Sequence, residues 1–243
     1  MKLAPTTKLT HQFEGYSVWL EPCENHKTTK AIKQEMTTIA SMCGGEKNGV
    51  YEFQPHCTML YNFSPKEMKS SYIKLQQDRE CLNESVANDK EIALSLLMHC
   101  KEKFNQYRTM VKKDDILLKP ESLYFFPYPK EADNGKGFGC VIPLIIYENK
   151  PQLHVLHDII RKTFPPDERH KSSDSNGKAN FVPHMAFCYA PEVYHDKLAA
   201  YTESMGEKKY IMESQKTGYL SVWSTKGGLK DWKLIARVKL DGK

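Results

Sequence analysis

Hydrophobic and polar positions change their period along the chain, and each change predicts a new element. YSVWL at 16–20 alternates with a period of two, as strands with one covered face do. A helical period begins near Thr28 and ends at Gly44-Gly45, a common helix stop. The apolar stripe of this helix comprises Ile32, Met36, Ile39 and Cys43. The sequence therefore predicts a strand followed by an amphipathic helix.

Cap residues and further periodic stretches predict the remaining elements. Ser64, Pro65 and Glu67 have the spacing of a capping box with proline in the first turn, and residues 64–113 are expected to be mostly helical. A second apolar stripe in this region comprises Ile92, Leu96, Cys100 and Phe104. The other predicted elements are strands at 117–126, 139–147, 219–224 and 232–240 and helices that open at Pro151 and at Pro191-Glu192.

One pattern, F-x-P-H-x-x-x-x-Y, occurs twice, as FQPHCTMLY at 53–61 and as FVPHMAFCY at 181–189. In both halves of the chain a strand, a helix, the FxPH strand and another helix follow one another. Such a repeat predicts an α+β fold of two lobes with pseudo-twofold symmetry. Since no linker separates the lobes, we expect residues 1–243 to form a single domain, with 1–13 as a loose arm and 165–180 as an exposed loop.

Alternation within the two copies places each histidine on the face opposite the packed one. The predicted core faces comprise Phe53, Pro55, Cys57, Met59, Tyr61 and Phe63 in the first copy and Phe181, Pro183, Met185, Phe187 and Tyr189 in the second. The predicted outward faces comprise His56, Thr58 and Leu60 in the first copy and Val182, His184, Ala186 and Cys188 in the second. In the first strand of the chain, the same period puts Trp19 on the more polar face.

Composition narrows the class of protein without identifying it. The chain carries a net charge of +5, and its lysines are dispersed among acidic residues, whereas long nucleic acids usually need a denser basic patch. No apolar run approaches the ~20 residues that span a bilayer, and MKLAPTTKLTHQFEG lacks the apolar stretch of a secretory signal. The seven cysteines include no C-x-x-C pair. We therefore expect a cytoplasmic protein with reduced thiols and no membrane partner.

Two histidines on one face suit acid–base chemistry at a phosphodiester. Imidazole titrates near pH ~6.5, so one ring can accept a proton from water while the other donates one to the leaving alkoxide. The hydroxyl of Thr58 can donate a hydrogen bond to a phosphate oxygen. The repeat alone leaves open that His56 and His184 are structural. Metal binding is disfavoured, because neither this pair nor His154 with His157 has a third ligand at a matching spacing.

HCT at 56–58 resembles the H-x-[T/S] signature of the two-histidine (2H) phosphoesterases, and HMA at 184–186 resembles its second copy without the hydroxyl. YSVWLEP, PHCT, GCV, PHMAFCYA and DWKLIARVKL, in this order, resemble the fungal and plant cyclic nucleotide phosphodiesterases (the CPDase family) over nearly the whole chain. The resemblance implies two pseudo-symmetric antiparallel sheets with outer helices and a central cleft. It also implies hydrolysis, without metal or cofactor, of ADP-ribose 1″,2″-cyclic phosphate, a by-product of tRNA splicing, and of nucleoside 2′,3′-cyclic phosphates. We expect a monomer.

The resemblance also assigns roles by position. His56 and His184 match the catalytic pair, and Thr58 matches the residue that binds the phosphate. We expect His184 to act as the base and His56 as the acid. Ala186 stands where the family has a second hydroxyl, and a methyl group cannot donate a hydrogen bond. Loss of one such donor costs roughly 10²–10³ in rate when the donor serves the transition state.

Three aromatic residues match positions that surround the ligand in the family, namely Trp19, Phe138 and Tyr189. The polar-face assignment of Trp19 agrees with such a role. The core-face assignment of Tyr189 disagrees, so only a bend or bulge after His184 would bring its ring to a ligand.

Two other functions stay open at this point. Because of Ala186, the protein can instead be a module that binds nucleotides or RNA ends in an aromatic cleft without turnover. It can also be a 2′–5′ phosphodiesterase or an RNA-end-processing enzyme of the same superfamily. Residues 64–113 and 165–180 then either border the cleft and limit substrate size or are peripheral additions.

Overall fold

The computed structural model describes residues 8–79, 87–111, 117–128, 138–146, 150–164, 181–206 and 215–240. The strands in these ranges are β1 Tyr16–Pro22, β2 Cys57–Phe63, β3 Leu117–Tyr128, β4 Phe138–Ile146, β5 Cys188–Pro191, β6 Gln215–Ser224 and β7 Lys233–Lys239. The helices are α1 Lys27–Met42, α2 Pro65–Asp78, α3 Asp89–Val111, α4 Lys150–Thr163 and α5 His195–Gly206. The predicted α+β class is confirmed, and each strand and helix predicted within the described ranges apart from the FxPH segments has its counterpart.

The strands pair in the order β2-β1-β6-β3-β4-β5, with β7 on the other side of β6, and the pairing is antiparallel throughout. β2, β1, β6 and β7 form one closely paired group, and β3, β4 and β5 form another. Among the residues that the structure describes, a short pairing of Leu117 and Leu118 with the start of β6 joins these groups. A separate bridge between Cys57 and Met185 connects the two FxPH segments.

Local sequence signals explain the helices. At the start of α2, Ser64 Oγ accepts a hydrogen bond from Glu67 N at 3.2 Å, and the Glu67 carboxylate accepts one from Ser64 N at 2.5 Å, which completes the predicted capping box. Both predicted apolar stripes, on α1 and on α3, are buried. α3 packs against β7, α2 and α4, and α5 packs against β3. Among the described helices, none combines the length and the apolar character needed to cross a bilayer.

The strict alternation predicted for the first FxPH copy is wrong at Leu60 and Tyr61, and His56, assigned to the outward face, is buried as well. Tyr61, assigned to the core, is 55% exposed, and Leu60, assigned to the outward face, is buried. The reason is an irregularity in the β1–β2 pairing beside Val18, followed by Asn62 in the left-handed region with φ 58°. An extra residue in one strand reverses the faces of those that follow it. Cys57, which precedes the irregularity, and Met59, which is the extra residue, are buried as predicted.

The described part of the predicted N-terminal arm, residues 8–13, is held against the fold rather than loose. Leu9 N donates to Asn48 O at 2.7 Å, and Phe13 forms a β-bridge with Gly227. The helix predicted from Pro191 begins with a 3₁₀ turn at Glu192–Tyr194, which leads directly into α5. The loop predicted at 165–180 lies outside the described residues.

Candidate active site

The two FxPH segments meet at the antiparallel bridge between Cys57 and Met185. The residues on either side of a bridged antiparallel pair also oppose each other, and opposed residues share one face of the sheet. His56 is therefore opposite Ala186, and Thr58 is opposite His184. Each FxPH copy thus contributes its histidine at the position that precedes the bridged residue.

Both histidines make the same hydrogen bond with the chain two residues earlier. His56 Nδ1 lies 2.6 Å from the carbonyl oxygen of Gln54, and His184 Nδ1 lies 2.9 Å from that of Val182. Because a carbonyl oxygen only accepts, Nδ1 must be the protonated nitrogen in each ring. Nε2 is then the atom of each imidazole that exchanges a proton. The histidines of the two FxPH copies are therefore in the same tautomer, with Nδ1 protonated.

The two imidazoles differ in their surroundings. His56 is 1% exposed, whereas His184 is partly exposed. The ring of His56 stacks on Trp19 with centroids 3.5 Å apart and an angle of 7° between the planes, and it also contacts Phe53 and Trp232. Burial, assisted by the nearby charge of His184, lowers the pKa of His56 from 6.5 to about 3. His56 is therefore neutral at physiological pH in the free protein.

Thr58 and Ala186 are the other two residues of this face, and only Thr58 carries a hydroxyl group. Thr58 is partly exposed, and its hydroxyl has no hydrogen-bond partner in the described part of the chain. It is thus available to a ligand next to His184. Ala186 is 3% exposed and packs against Phe53 and Tyr189. The predicted outward faces of the second copy are wrong here, since Ala186 and Cys188 are both buried.

Trp19 lies next to the histidine pair but does not offer its ring to a ligand. It is 1% exposed and stacks on Trp223, with centroids 4.6 Å apart, on the opposite side from His56. The predicted role as a ligand-stacking residue is thus not supported, because the neighbouring rings already occupy both faces. In this structure Trp19 instead supports the imidazole of His56.

The other two aromatic residues predicted around a ligand have different outcomes. Residues 186–187, between the bridge and β5, belong to no strand. The partly exposed ring of Tyr189 contacts Phe53 at 5.5 Å and Phe13 at 5.1 Å. Phe138 pairs through its backbone with Tyr128 and Pro191, but its side chain lies outside the described part of the structure.

A buried carboxyl group near Trp223 was not predicted as a functional residue. Glu21 is 0% exposed, and its Oε1 accepts hydrogen bonds from Ser221 Oγ and, at 2.8 Å, from Trp223 Nε1. Its Oε2 has no partner. Burial raises the pKa of Glu21 above its ordinary 4.5, although both hydrogen bonds oppose the shift. The alternation of β1 placed Glu21 on the same face as Trp19, but nothing in the sequence indicated that this face is covered.

Replacing Glu21 with Gln is expected to flatten the pH dependence of stability. A raised pKa means that the folded protein holds a proton that the unfolded chain has lost, so the free energy of unfolding falls as the pH rises above about 4.5. Gln cannot ionise and should remove this fall. Urea unfolding between pH 4.5 and 8 measures it, with Glu203→Gln, at an exposed position of α5, as the matched control. An unchanged pH profile in Glu21→Gln would show that the carboxyl titrates normally.

His154 and His157 belong to the packing of α4 and not to a second site. His157 is 7% exposed and stacks on Phe181 with centroids 3.9 Å apart. Burial lowers the pKa of His157 to about 4. His154, in contrast, is exposed. Among the residues that the structure describes, no three His, Cys, Asp or Glu side chains are grouped so as to hold a metal ion.

Comparison with known proteins identifies no family for this chain, because no family model and no curated protein matches it. What is known of the site therefore rests on the sequence motifs and on the geometry described above.

Proposed function

We propose that this protein is a two-histidine phosphodiesterase that opens cyclic phosphates, with His56 and His184 as the acid–base pair. The observation that carries the proposal is the Cys57–Met185 bridge, which brings the two FxPH segments side by side with both histidines in the same tautomer. In this proposal the two strand groups are the two lobes of a bilobal 2H fold, and the cleft lies over this bridge. Trp19, Phe53 and Trp232 exclude water from one side of the site.

The reaction needs one base, one acid and a hydrogen-bond donor. The base removes a proton from water through Nε2, the water oxygen forms a bond to phosphorus, and the P–O bond to one ribose oxygen breaks. The acid gives its Nε2 proton to that oxygen, which leaves as a hydroxyl group on the monophosphate product. Thr58 donates a hydrogen bond to a non-bridging phosphate oxygen. No cofactor enters this scheme.

The environment of His56 favours an assignment opposite to the one expected from sequence. His56 is neutral in the free protein because burial lowers its pKa, and a neutral imidazole can act only as a base. His184, which is partly exposed, then supplies the proton. A bound phosphate anion would stabilise the imidazolium form of His56 and so raise its pKa as water is deprotonated.

The substrates expected from the resemblance are nucleoside 2′,3′-cyclic phosphates and ADP-ribose 1″,2″-cyclic phosphate, handled by a cytoplasmic monomer. Incubation of each with the protein in excess EDTA, followed by separation of the products, tests the activity. A 2′–5′ diadenylate in parallel tests the alternative 2′–5′ activity. Formation of monophosphate from a cyclic substrate supports the proposal, and the absence of product from all three substrates rejects it.

A binding module without turnover is the second candidate, because Ala186 opposes His56 with a methyl group and packs against Phe53 and Tyr189. Such a protein would bind cyclic nucleotides or RNA ends and release them unchanged. Ala186→Ser separates the two functions. A rate that rises from a very low baseline favours the binding module, whereas a substantial rate in the natural chain favours the enzyme.

Thr58→Val is expected to lower kcat/KM about 10- to 100-fold. A hydrogen bond to a charged group contributes about 1.5–3 kcal/mol, and valine has the shape of threonine without the donor. Steady-state kinetics on a 2′,3′-cyclic nucleotide measures the effect. Thr109→Val, at an exposed position of α3, is the matched control and should leave the rate unchanged. Equal rates in the two variants would exclude a phosphate contact by Thr58.

A further inference from the structure

A pocket of about 540 Å³ lies next to His56, because Phe53, Gln54 and Trp232, which contact His56, also line the pocket. Its walls come from α1, from the segment 51–54 that precedes β2, from the end of β6 and from the turn that leads into β7. This volume lies within the range of small-molecule sites in proteins. Phe53 and Trp232 line the pocket, and both rings also contact the ring of His56, with 5.8 and 6.4 Å between the centroids. None of the roles proposed above for the histidines or Thr58 uses this space.

The walls of the pocket are mainly aromatic. Tyr51, Phe53, Trp223 and Trp232 line it, and all four are partly exposed rather than buried in the core. Aromatic walls of this kind hold planar rings by stacking, and they accept every nucleobase because each base has a π face. The ligand is therefore expected to contain a planar heterocycle.

Two hydrogen-bond donors in these walls are buried and have no acceptor. They are Gln54 Nε2 and Trp232 Nε1. Buried donors are almost always paired in folded proteins, so each unpaired one needs an explanation. Acceptor atoms on the edge of a nucleobase would satisfy both. The backbone carbonyl of Gln54 also holds His56 Nδ1 at 2.6 Å, so the same residue connects the pocket to the site of chemistry.

The charges that border the pocket favour an anion. Lys33 from α1 and Lys230 from the turn before β7 line it together with a single carboxylate, Glu52. Neither lysine forms an ion pair within the described part of the chain. A nucleoside cyclic phosphate has one phosphate, which the histidine pair would hold. Two further lysines at a separate pocket are suited to a second phosphate.

We propose that this pocket binds the base and a second, uncleaved phosphate of the ligand. The preferred ligand is then a nucleotide that carries a 5′-phosphate in addition to the 2′,3′-cyclic phosphate. The position of the cyclic phosphate in this scheme rests on the proposed function, whereas nucleotide binding in the pocket requires neither histidine. Lys33 and Lys230 determine the preference for the second phosphate, and Gln54 with Trp232 determines how the base is held.

Tryptophan fluorescence measures this binding without any turnover. The chain has three tryptophans, and two of them line the pocket. We expect adenosine 5′-monophosphate to quench the emission at concentrations about tenfold lower than adenosine does, because of the added ionic hydrogen bonds. Ribose 5-phosphate, which has no base, should bind weakly. In the double variant Lys33→Gln/Lys230→Gln, adenosine and adenosine 5′-monophosphate should bind equally. Lys30→Gln/Lys233→Gln, at exposed positions outside the pocket, should keep the preference for the monophosphate.

Kinetics separates this inference from the proposed function. Adenosine 2′,3′-cyclic phosphate is compared with the same compound bearing a 5′-phosphate, and we expect a KM about tenfold lower for the latter at equal kcat. Turnover without this difference, together with equal binding of adenosine and adenosine 5′-monophosphate, overturns the pocket proposal and retains the enzyme. Lysine-dependent binding of adenosine 5′-monophosphate without any turnover retains the pocket and rejects the enzyme. No quenching by any of the three compounds rejects the pocket outright.

Discussion

Replacement of either His56 or His184 by glutamine is expected to lower kcat/KM for a nucleoside 2′,3′-cyclic phosphate by about 10²–10⁴, the usual contribution of a positioned acid or base. Glutamine keeps much of the size and polarity of the side chain but cannot exchange a proton near neutral pH. The two losses should be far from additive, because the acid and the base act in one step. Steady-state kinetics of both single variants and of the double variant measures this.

The pH dependence of kcat/KM distinguishes the two roles. If His56 is the base, its protonation stops the reaction, so the acidic limb of a bell-shaped profile belongs to it and lies well below pH 6.5 because burial lowers its pKa. His56→Gln should abolish this limb, and His184→Gln should abolish the alkaline one. His99 lies on α3 and is not part of the proposed site, so His99→Gln is the control and should keep both limbs of the profile. Undiminished activity in either site variant ends the two-histidine proposal.

The parts of this fold that depend on short sequence separations were predictable. The capping box at Ser64 and Glu67, the Gly44-Gly45 stop and the apolar stripe of α3 all act within one or two turns of a helix. Their outcome therefore hardly depends on the rest of the chain. The repeated FxPH pattern also predicted more than local structure, since it anticipated that two histidines occupy equivalent positions, as their matching hydrogen bonds to Gln54 and Val182 show.

The parts that depend on the register between distant strands were not predictable. Alternation gives the two faces of a strand but not which of them another segment covers. Trp19 was correctly assigned to the face away from Val18, yet that face is buried by Trp223 from β6, about two hundred positions later in the sequence. The same covering buries His56 and Glu21, and it changes the pKa of both. A prediction in which this face of β1 is exposed to a ligand could not include the changes in the pKa values of His56 and Glu21.

Trp19→Ala is expected to destabilise the protein by about 3–5 kcal/mol, the cost typical of removing a large buried aromatic side chain. Trp19 is 1% exposed and lies in a stack between His56 and Trp223, so its removal leaves a cavity that neither ring can fill without moving. The free energy of unfolding in urea measures the loss. Trp232→Ala is the matched control and should cost clearly less, because Trp232 is partly exposed and its indole N–H has no acceptor to lose.

The same substitution should also change the titration of His56. With the indole of Trp19 absent, solvent reaches the imidazole and stabilises its charged form, so the pKa of His56 should rise from about 3 toward its ordinary 6.5. NMR titration of the imidazole resonances measures the shift. The control is Phe104→Ala, which removes a buried aromatic side chain of α3 that packs against Tyr107 and not against His56. If Trp19→Ala lowers stability but leaves the pKa of His56 unchanged, Trp19 contributes only to packing. If both change together, one indole ring links the stability of the fold to the proton affinity of the proposed base.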